Sequence, residues 1–356
     1  MTDSKTLPTI KEKELDASLK LTDHRAYYQP LRYPFAYNFS EEHRRMNWTR
    51  EEVKTLHEDV ADWNAMTEEE RAPRQFLLNY FVQADVDVAG SYIENLFQWY
   101  TQPELRMGLI RIVDREATHV DCYQMLPDQF GIPKTEYAEM LTIDEIADQH
   151  DFMIQKAHDG SYYQRLTTIC RHICGEGIGL YGIFLMLLND QRFGRMKSLG
   201  QEVVSWSSRD ENHHCFFLTW LFNTELEENQ GVIPLEEIRA FVIAMFKNSV
   251  QRGVSYAKAV YKRGALPGLT VEEIETFLMQ LANARIKKLN IGVDKIYDLP
   301  DYLLLDWAST IFSASLDNFF ETAGTNYQIG AMSGEWEYPP ADFKKESDYF
   351  ASLMDS

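Results

Sequence analysis

The sequence predicts an all-α protein organised as a large helical bundle, and three observations carry that prediction. Capping boxes of the form Thr-x-x-Glu recur at Thr49/Glu52, Thr67/Glu70, Thr101/Glu104, Thr142/Glu145 and Thr270/Glu273. Each would offer a side-chain acceptor to an orphan backbone N–H at a helix start. Apolar residues then recur at helical spacing through long segments, several above 20 residues, which suits a bundle better than a packing of short helices. Strand signals are few.

Taken in order, residues 1–40 read as an extended N-terminal arm, rich in proline, tyrosine and mixed charge (Tyr27, Tyr28, Pro30, Tyr33, Pro34, Tyr37) and without a sustained period. Helices are expected over residues 49–64, 68–98, 102–127, 135–158, 162–189, 194–224, 235–263, 271–290 and 300–323. Glycine and proline mark the breaks at Gly131-Ile132-Pro133, Asp159-Gly160 and Leu266-Pro267-Gly268. No repeat, low-complexity tract or compositional shift divides these segments, so residues 41–340 are expected to form one bundle. Beyond Pro339-Pro340, residues 341–356 are charged with scattered large apolar side chains (Phe343, Tyr349, Phe350, Leu353, Met354) and read as a flexible tail.

The 356 residues are 45% hydrophobic and 25% charged, the balance of a globular protein with a sizeable core. Lys and Arg number 35 against 55 Asp and Glu, a net charge of -20 that would repel a phosphate backbone or an anionic membrane. Neither nucleic acid nor membrane is expected as a partner. The cysteines Cys122, Cys170, Cys174 and Cys215 form no Cys-x-x-Cys pair, which points to a reduced, cytoplasmic chain. The N-terminal residues lack the apolar core of a signal peptide, and the longest apolar run, 178–188, falls short of the roughly 20 residues a span needs.

Chemistry concentrates in two Glu-x-x-His pairs, Glu116/His119 and Glu211/His214, each inside a helical segment where the i, i+3 spacing places both side chains on one face. Glu176 lies in an apolar run with almost no other polar side chain before Asn189, and Asp85 lies in the mostly apolar stretch 76–97. A carboxylate in the middle of a core helix requires a cation or neutralises itself, and metal ions supply one. One carboxylate from each of two helices plus one Glu-x-x-His from each of two others is the ligand pattern of ferritin-like dinuclear carboxylate proteins. The chain order Asp85, Glu116/His119, Glu176, Glu211/His214 fits it. Oxygen and imidazole donors without thiolate suit Fe(II) or Mn(II) and argue against structural zinc. Asp87 competes with Asp85, and Asp210/His213 offers a rotated version of the second pair.

Tyr123 follows His119 by four residues and Glu116 by seven, continuing that face toward the metals as a candidate redox residue. Leu180 and Phe184, at i+4 and i+8 from Glu176, would furnish a dry wall, and Cys122 reads as an inert packed thiol.

The segments Arg115-Glu116-Ala117-Thr118-His119-Val120-Asp121-Cys122-Tyr123 and Ser208-Arg209-Asp210-Glu211-Asn212-His213-His214, with Ala84-Asp85-Val86 upstream and Glu176 between, resemble the small, radical-generating subunit of class I ribonucleotide reductase over about residues 45 to 325. The resemblance implies a homodimeric, ferritin-like bundle with additional helices, holding two iron ions or manganese in one or both places. It implies that the metals activate oxygen to oxidise Tyr123, and that a separate large subunit reduces a ribonucleoside diphosphate or triphosphate. The family's first ligand is aspartate, and the 31-residue step to Glu116 favours Asp85. By the same resemblance Trp48 and Asp210 form a relay with His119. Tyr349 would carry the radical through the tail, with Tyr338 as rival, the tail would dock on the large subunit, and an activating flavoprotein is a possible further partner. Consistent with a nucleotide site elsewhere, the chain has no Gly-x-x-x-x-Gly-Lys-Ser/Thr phosphate loop. The alternatives are a related dinuclear oxidase acting on a small apolar substrate, and a ferritin-like metal store.

Overall fold

The computed structural model describes residues 19–135, 140–157 and 159–311, and among these every regular element is helical. The α-helices of six or more residues are α1 (Pro34–Arg45), α2 (Leu56–Ala65), α3 (Glu68–Ser91), α4 (Pro103–Tyr123), α5 (Met125–Phe130), α6 (Asp144–Ile154), α7 (Tyr162–Cys174), α8 (Leu180–Leu188), α9 (Ser205–Glu228), α10 (Leu235–Tyr261), α11 (Val271–Ile286) and α12 (Asp306–Ile311). Three wide turns with i→i+5 bonding interrupt the regular spacing, at Tyr92–Leu96 after α3, at Gly175–Gly179 between α7 and α8, and at Leu199–Val204 before α9.

Four long rods surround one centre: α3 packs on α4, α9 on α7, α8 closes against α3, and α9 meets α4. Outside them, α10 and α11 pack on each other and on the Gly175–Gly179 turn, α6 lies against α3 and α10, and α1 crosses α4 and α9. The stretch Tyr162–Phe193 is by length and composition apolar enough to cross a membrane, but 89% of its apolar window is buried by the surrounding helices. It is the central rod of the core.

The structure departs from the sequence expectations at both kinds of boundary. Capping boxes close at Thr49/Glu52, Thr67/Glu70 and Thr270/Glu273. At Thr101/Glu104 none forms, because Glu104 is fully buried and binds the Arg25 guanidinium together with the backbone N–H groups of Arg32 and Tyr33, both at 3.0 Å. That carboxylate fastens the incoming chain to α4. At Thr142/Glu145 the helix starts after Ile143, and Glu145 pairs with Lys262 at 3.0 Å. Helix α1 begins at Pro34, inside the stretch expected to be extended, since proline is pre-set for the first helical turn and Ala36 and Phe39 reach the core. Residues 341–356, with Tyr349, and the rival Tyr338 lie outside the described residues.

Candidate metal centre

Each of the four rods delivers its share of six fully buried side chains: Asp85 from α3, Glu116 and His119 from α4, Glu176 from the wide turn Gly175–Gly179, and Glu211 and His214 from α9. They form two overlapping sets, Asp85, Glu116, His119 and Glu211, and Glu116, Glu176, Glu211 and His214, with the ligand atoms of each set within 4.8 Å of one another. Glu116 and Glu211 belong to both sets, which is the arrangement of two ions sharing a pair of carboxylates. The glycines around Glu176 permit this packing: a Cβ on Gly177 would stand 2.8 Å from Arg285 Nε and 2.9 Å from Cys215 Sγ.

The charges do not balance within the protein. His119 Nδ1 lies 3.2 Å from Glu116 Oε2, 3.2 Å from Glu211 Oε1 and 3.6 Å from Asp85 Oδ2. His214 Nδ1 lies 3.1 Å from Glu116 Oε1, 3.1 Å from Glu176 Oε2 and 3.3 Å from Glu211 Oε2. One imidazole N–H cannot serve three carboxylates, and both oxygens of Asp85, Glu116 Oε1 and Glu211 Oε1 are left without a hydrogen bond. Burial and the Glu116 charge hold the Asp85 carboxyl well above its ordinary range, and the same two causes raise Glu211. Burial would lower both imidazoles, yet hydrogen bonds to the surrounding carboxylates outweigh it and raise them. Burial likewise opposes ionisation of Glu116, but the two histidines prevail and bring it down to about 2. Unserved oxygens in a dry pocket, with imidazole and no thiolate, fit a pair of iron or manganese ions.

Outside the ligands, Trp48 Nε1 donates to Asp210 Oδ2 at 2.7 Å, and that oxygen lies 3.4 Å from His119 Nε2. Arg115 Nε at 3.3 Å and Arg209 Nη2 at 3.0 Å flank Asp210. Burial opposes its charge, but His119 and the arginines outweigh that and hold it far below the carboxylate range. Tyr123 is buried with its ring stacked on Phe81 at 3.8 Å and 5.7 Å from His119, and its hydroxyl has only the Ser207 side chain beside it, short of full hydrogen-bond geometry. Phe184 meets Phe81 edge-on, and Leu180 is buried nearby in the chain. Cys122 is buried, and burial pushes its thiol up to about 12. Asp87 turns away to His150 Nδ1 at 2.8 Å, and His213 faces Glu42 and His43 rather than Asp210.

Three buried residues next to the ligands escaped the sequence reading. Tyr92 donates to Glu176 Oε1 at 2.8 Å, His172 Nδ1 approaches the same oxygen at 2.9 Å, and His43 Nε2 lies 3.2 Å from His214 Nε2. Only His172 had a local signal, its i, i+4 spacing to Glu176.

An all-helical bundle enclosing paired, shared carboxylate and histidine sets defines the class of dinuclear carboxylate proteins. Comparison with known proteins narrows it: the family model described as "Ribonucleotide reductase, small chain" matches residues 25–301. A probable ribonucleoside-diphosphate reductase small subunit of Invertebrate iridescent virus 3 is 30% identical over 339 residues, covering 90% of this chain and 89% of its own. In fold, the chain is similar to the ribonucleotide reductase R2 subunit from Clostridium botulinum (TM-score 0.70, 20% identity, 81% of this chain and 91% of that one). It is similar also to an R2-like ligand-binding oxidase variant with a reconstituted Mn/Fe cofactor (TM-score 0.65, 16% identity, 76% and 100%). The chain belongs to the ribonucleotide reductase small-chain family, and is thus the small subunit of an oxidoreductase.

Proposed function

We propose that Asp85, Glu116, His119, Glu176, Glu211 and His214 hold two metal ions, that Tyr123 stores an oxidising equivalent as a phenoxyl radical, and that this radical starts ribonucleotide reduction in a separate large subunit. The observation that carries the reading is the pair of four-ligand sets sharing Glu116 and Glu211, with the Tyr123 hydroxyl, short of a full hydrogen bond, on the same helical face as Glu116 and His119. When bound, iron, or manganese in one or both positions, supplies oxidising power drawn from oxygen or from a reduced oxygen species delivered by a flavoprotein.

The protein's own part is to protect and route. Phe81 and Phe184 keep water from the Tyr123 ring, prolonging the life of a radical that reductants would quench. The chain Trp48–Asp210–His119 joins the centre to the segment just beyond the C-terminal end of α1 and serves as the relay, continuing through Tyr349 in the tail, or Tyr338, to the large subunit. Residues 341–356 dock on that subunit, and ribonucleoside diphosphate is the substrate there. A second copy of the chain packs on α3, the wide turn Tyr92–Leu96 and α4, where Val86, Ile93 and Ile110 are about half exposed (48%, 47% and 51%). Four buried free thiols support a reducing, cytoplasmic setting.

Metal analysis with an electron paramagnetic resonance spectrum of the oxygen-exposed protein tests the reading. The natural chain should hold about two ions and show a tyrosyl signal that Tyr123→Phe abolishes without loss of metal. An unchanged signal in the variant would place the oxidant elsewhere, and a chain without residues 341–356 should keep the signal while losing turnover with its large subunit.

A further inference from the structure

The two ligand histidines are backed by different chemistry. His119 Nε2 faces a carboxylate, Asp210, at 3.4 Å. His214 Nε2 faces a second imidazole, His43 Nε2, at 3.2 Å, and His43 Nδ1 faces a third, His213 Nδ1, also at 3.2 Å. His213 Nε2 then reaches Glu42 Oε2 at 3.6 Å, on a side chain that is 40% exposed. Phe39 stacks on both His43 and His213 and holds the rings in register.

Hydrogen-bond directions along this row follow from one end. His214 turns Nδ1 toward Glu116, Glu176 and Glu211, so as a metal ligand it binds through Nδ1 and carries hydrogen on Nε2. His43 must then accept at Nε2 and donate from Nδ1, His213 must accept at Nδ1 and donate from Nε2, and the Glu42 carboxylate ends the row. Each bond requires one tautomer at the next ring. A neutral imidazole is a weaker acceptor than a carboxylate, so it raises the basicity of the ligand it backs less than Asp210 does for His119.

We propose that His43 is a positioning residue that fixes the tautomer and ring orientation of His214, and that the row His214–His43–His213–Glu42 makes the Glu176/His214 side the weaker, second-filling metal position. This rests on the reading of the six ligands given above.

The test is equilibrium titration of the metal-free full chain with Mn(II), alongside thermal unfolding of the metal-free proteins. His43→Leu should leave the first equivalent unchanged and weaken the second about tenfold to hundredfold, the usual consequence of losing a hydrogen-bond partner behind a ligand. His43→Gln, whose amide can accept from His214 and donate to His213, should restore most of that loss. His213→Leu, which leaves His43 bonded to His214 but frees its far end, should give a smaller loss and provides the reading if His43→Leu does not fold. Wild-type binding of both equivalents in the leucine variants would overturn the proposal. So would equal weakening of both equivalents with a lowered unfolding temperature, since that is what a purely structural role would give. A natural chain that takes up no metal would overturn the ligand assignment itself, a result distinguishable from either.

Discussion

At the end of the centre formed by Asp85 and His119, neither oxygen of Asp85 has a hydrogen bond and the nearby Tyr123 hydroxyl makes no full one, whereas at the end formed by Glu176 and His214 the oxygens of Glu176 are served by Tyr92, His172 and His214. Both ends are equally dry. Orphaned buried polar atoms are costly, and a fold that serves them at one end and leaves them bare at the other marks the bare end as the place where something else is to bind or react. Glu176 is held before metal arrives; Asp85 is left for the metal to orient.

The residues common to both ends should give the largest effect. Glu116→Ala or Glu211→Ala removes a donor from both ligand sets, so bound metal should fall from about two ions per chain to fewer than one, while Asp85→Ala or Glu176→Ala should retain about one. Metal analysis after dialysis distinguishes the patterns, and equal losses in all four variants would show that the two sets are not separable.

The centre also responds to pH. In the metal-free protein Asp85, Glu211, His119 and His214 are all held above their ordinary values. A group raised on folding contributes stability below its unfolded value and loses that contribution as pH rises through its folded value. Metal-free protein should therefore lose stability as pH rises above neutrality, and metal, which must displace those protons, should bind more tightly over the same window. Glu116 and Glu176 are lowered and change protonation only in acid, so they do not reverse this sign. The metal-induced gain in Tm should be larger at about pH 8 than at about pH 6; a constant gain would mean that no protons are displaced.

The same substitution at two tyrosines gives a finer contrast. Tyr92→Phe removes a buried hydrogen bond to a carboxylate and should cost about 1.5–3 kcal/mol in the metal-free protein. Tyr123→Phe removes a buried hydroxyl whose contact with Ser207 falls short of hydrogen-bond geometry, and should be neutral or stabilising by up to about 1 kcal/mol. Denaturant unfolding measures both, and destabilisation at Tyr123 would reveal a hydrogen bond that the bare end was thought to lack.

How far the sequence was legible follows the same division. The six candidate ligands stood out because carboxylates in apolar helical stretches are conspicuous and Glu-x-x-His fixes a face locally. Tyr92 did not, because the wide turns Tyr92–Leu96 and Gly175–Gly179 each take extra residues per turn and move side chains off the 3.6-residue face. His43 did not, because 171 residues separate it from His214 and only packing brings them together. Glu104 carried a cap signature and became the anchor of the N-terminal segment, a tertiary demand overriding a local preference. Trp48 and Asp210 were named through family resemblance, and no local spacing would have joined residues 162 positions apart.

The smallest effect is expected at Asp87, two residues from Asp85 on the same helix and turned to another face. Its carboxylate accepts from Gln83 Nε2 at 2.8 Å and pairs with His150 at 2.8 Å, a histidine that is partly open to solvent. Burial raises its pKa while His150 and Gln83 oppose the rise, so its charge is compensated within the protein and needs no metal. Asp87→Asn keeps one acceptor oxygen, for Gln83, turns its NH2 toward His150, whose neutral Nδ1 can accept, and loses the charge. It should therefore cost about 1 kcal/mol of stability or less, with metal content and the Tyr123 radical unchanged. Asp85→Asn, with both oxygens bare, should instead lower metal affinity at the His119 side. If the two asparagine variants lost metal equally, the contrast between a carboxylate served by the protein and one left for an ion would fail at the place where it is most sharply drawn.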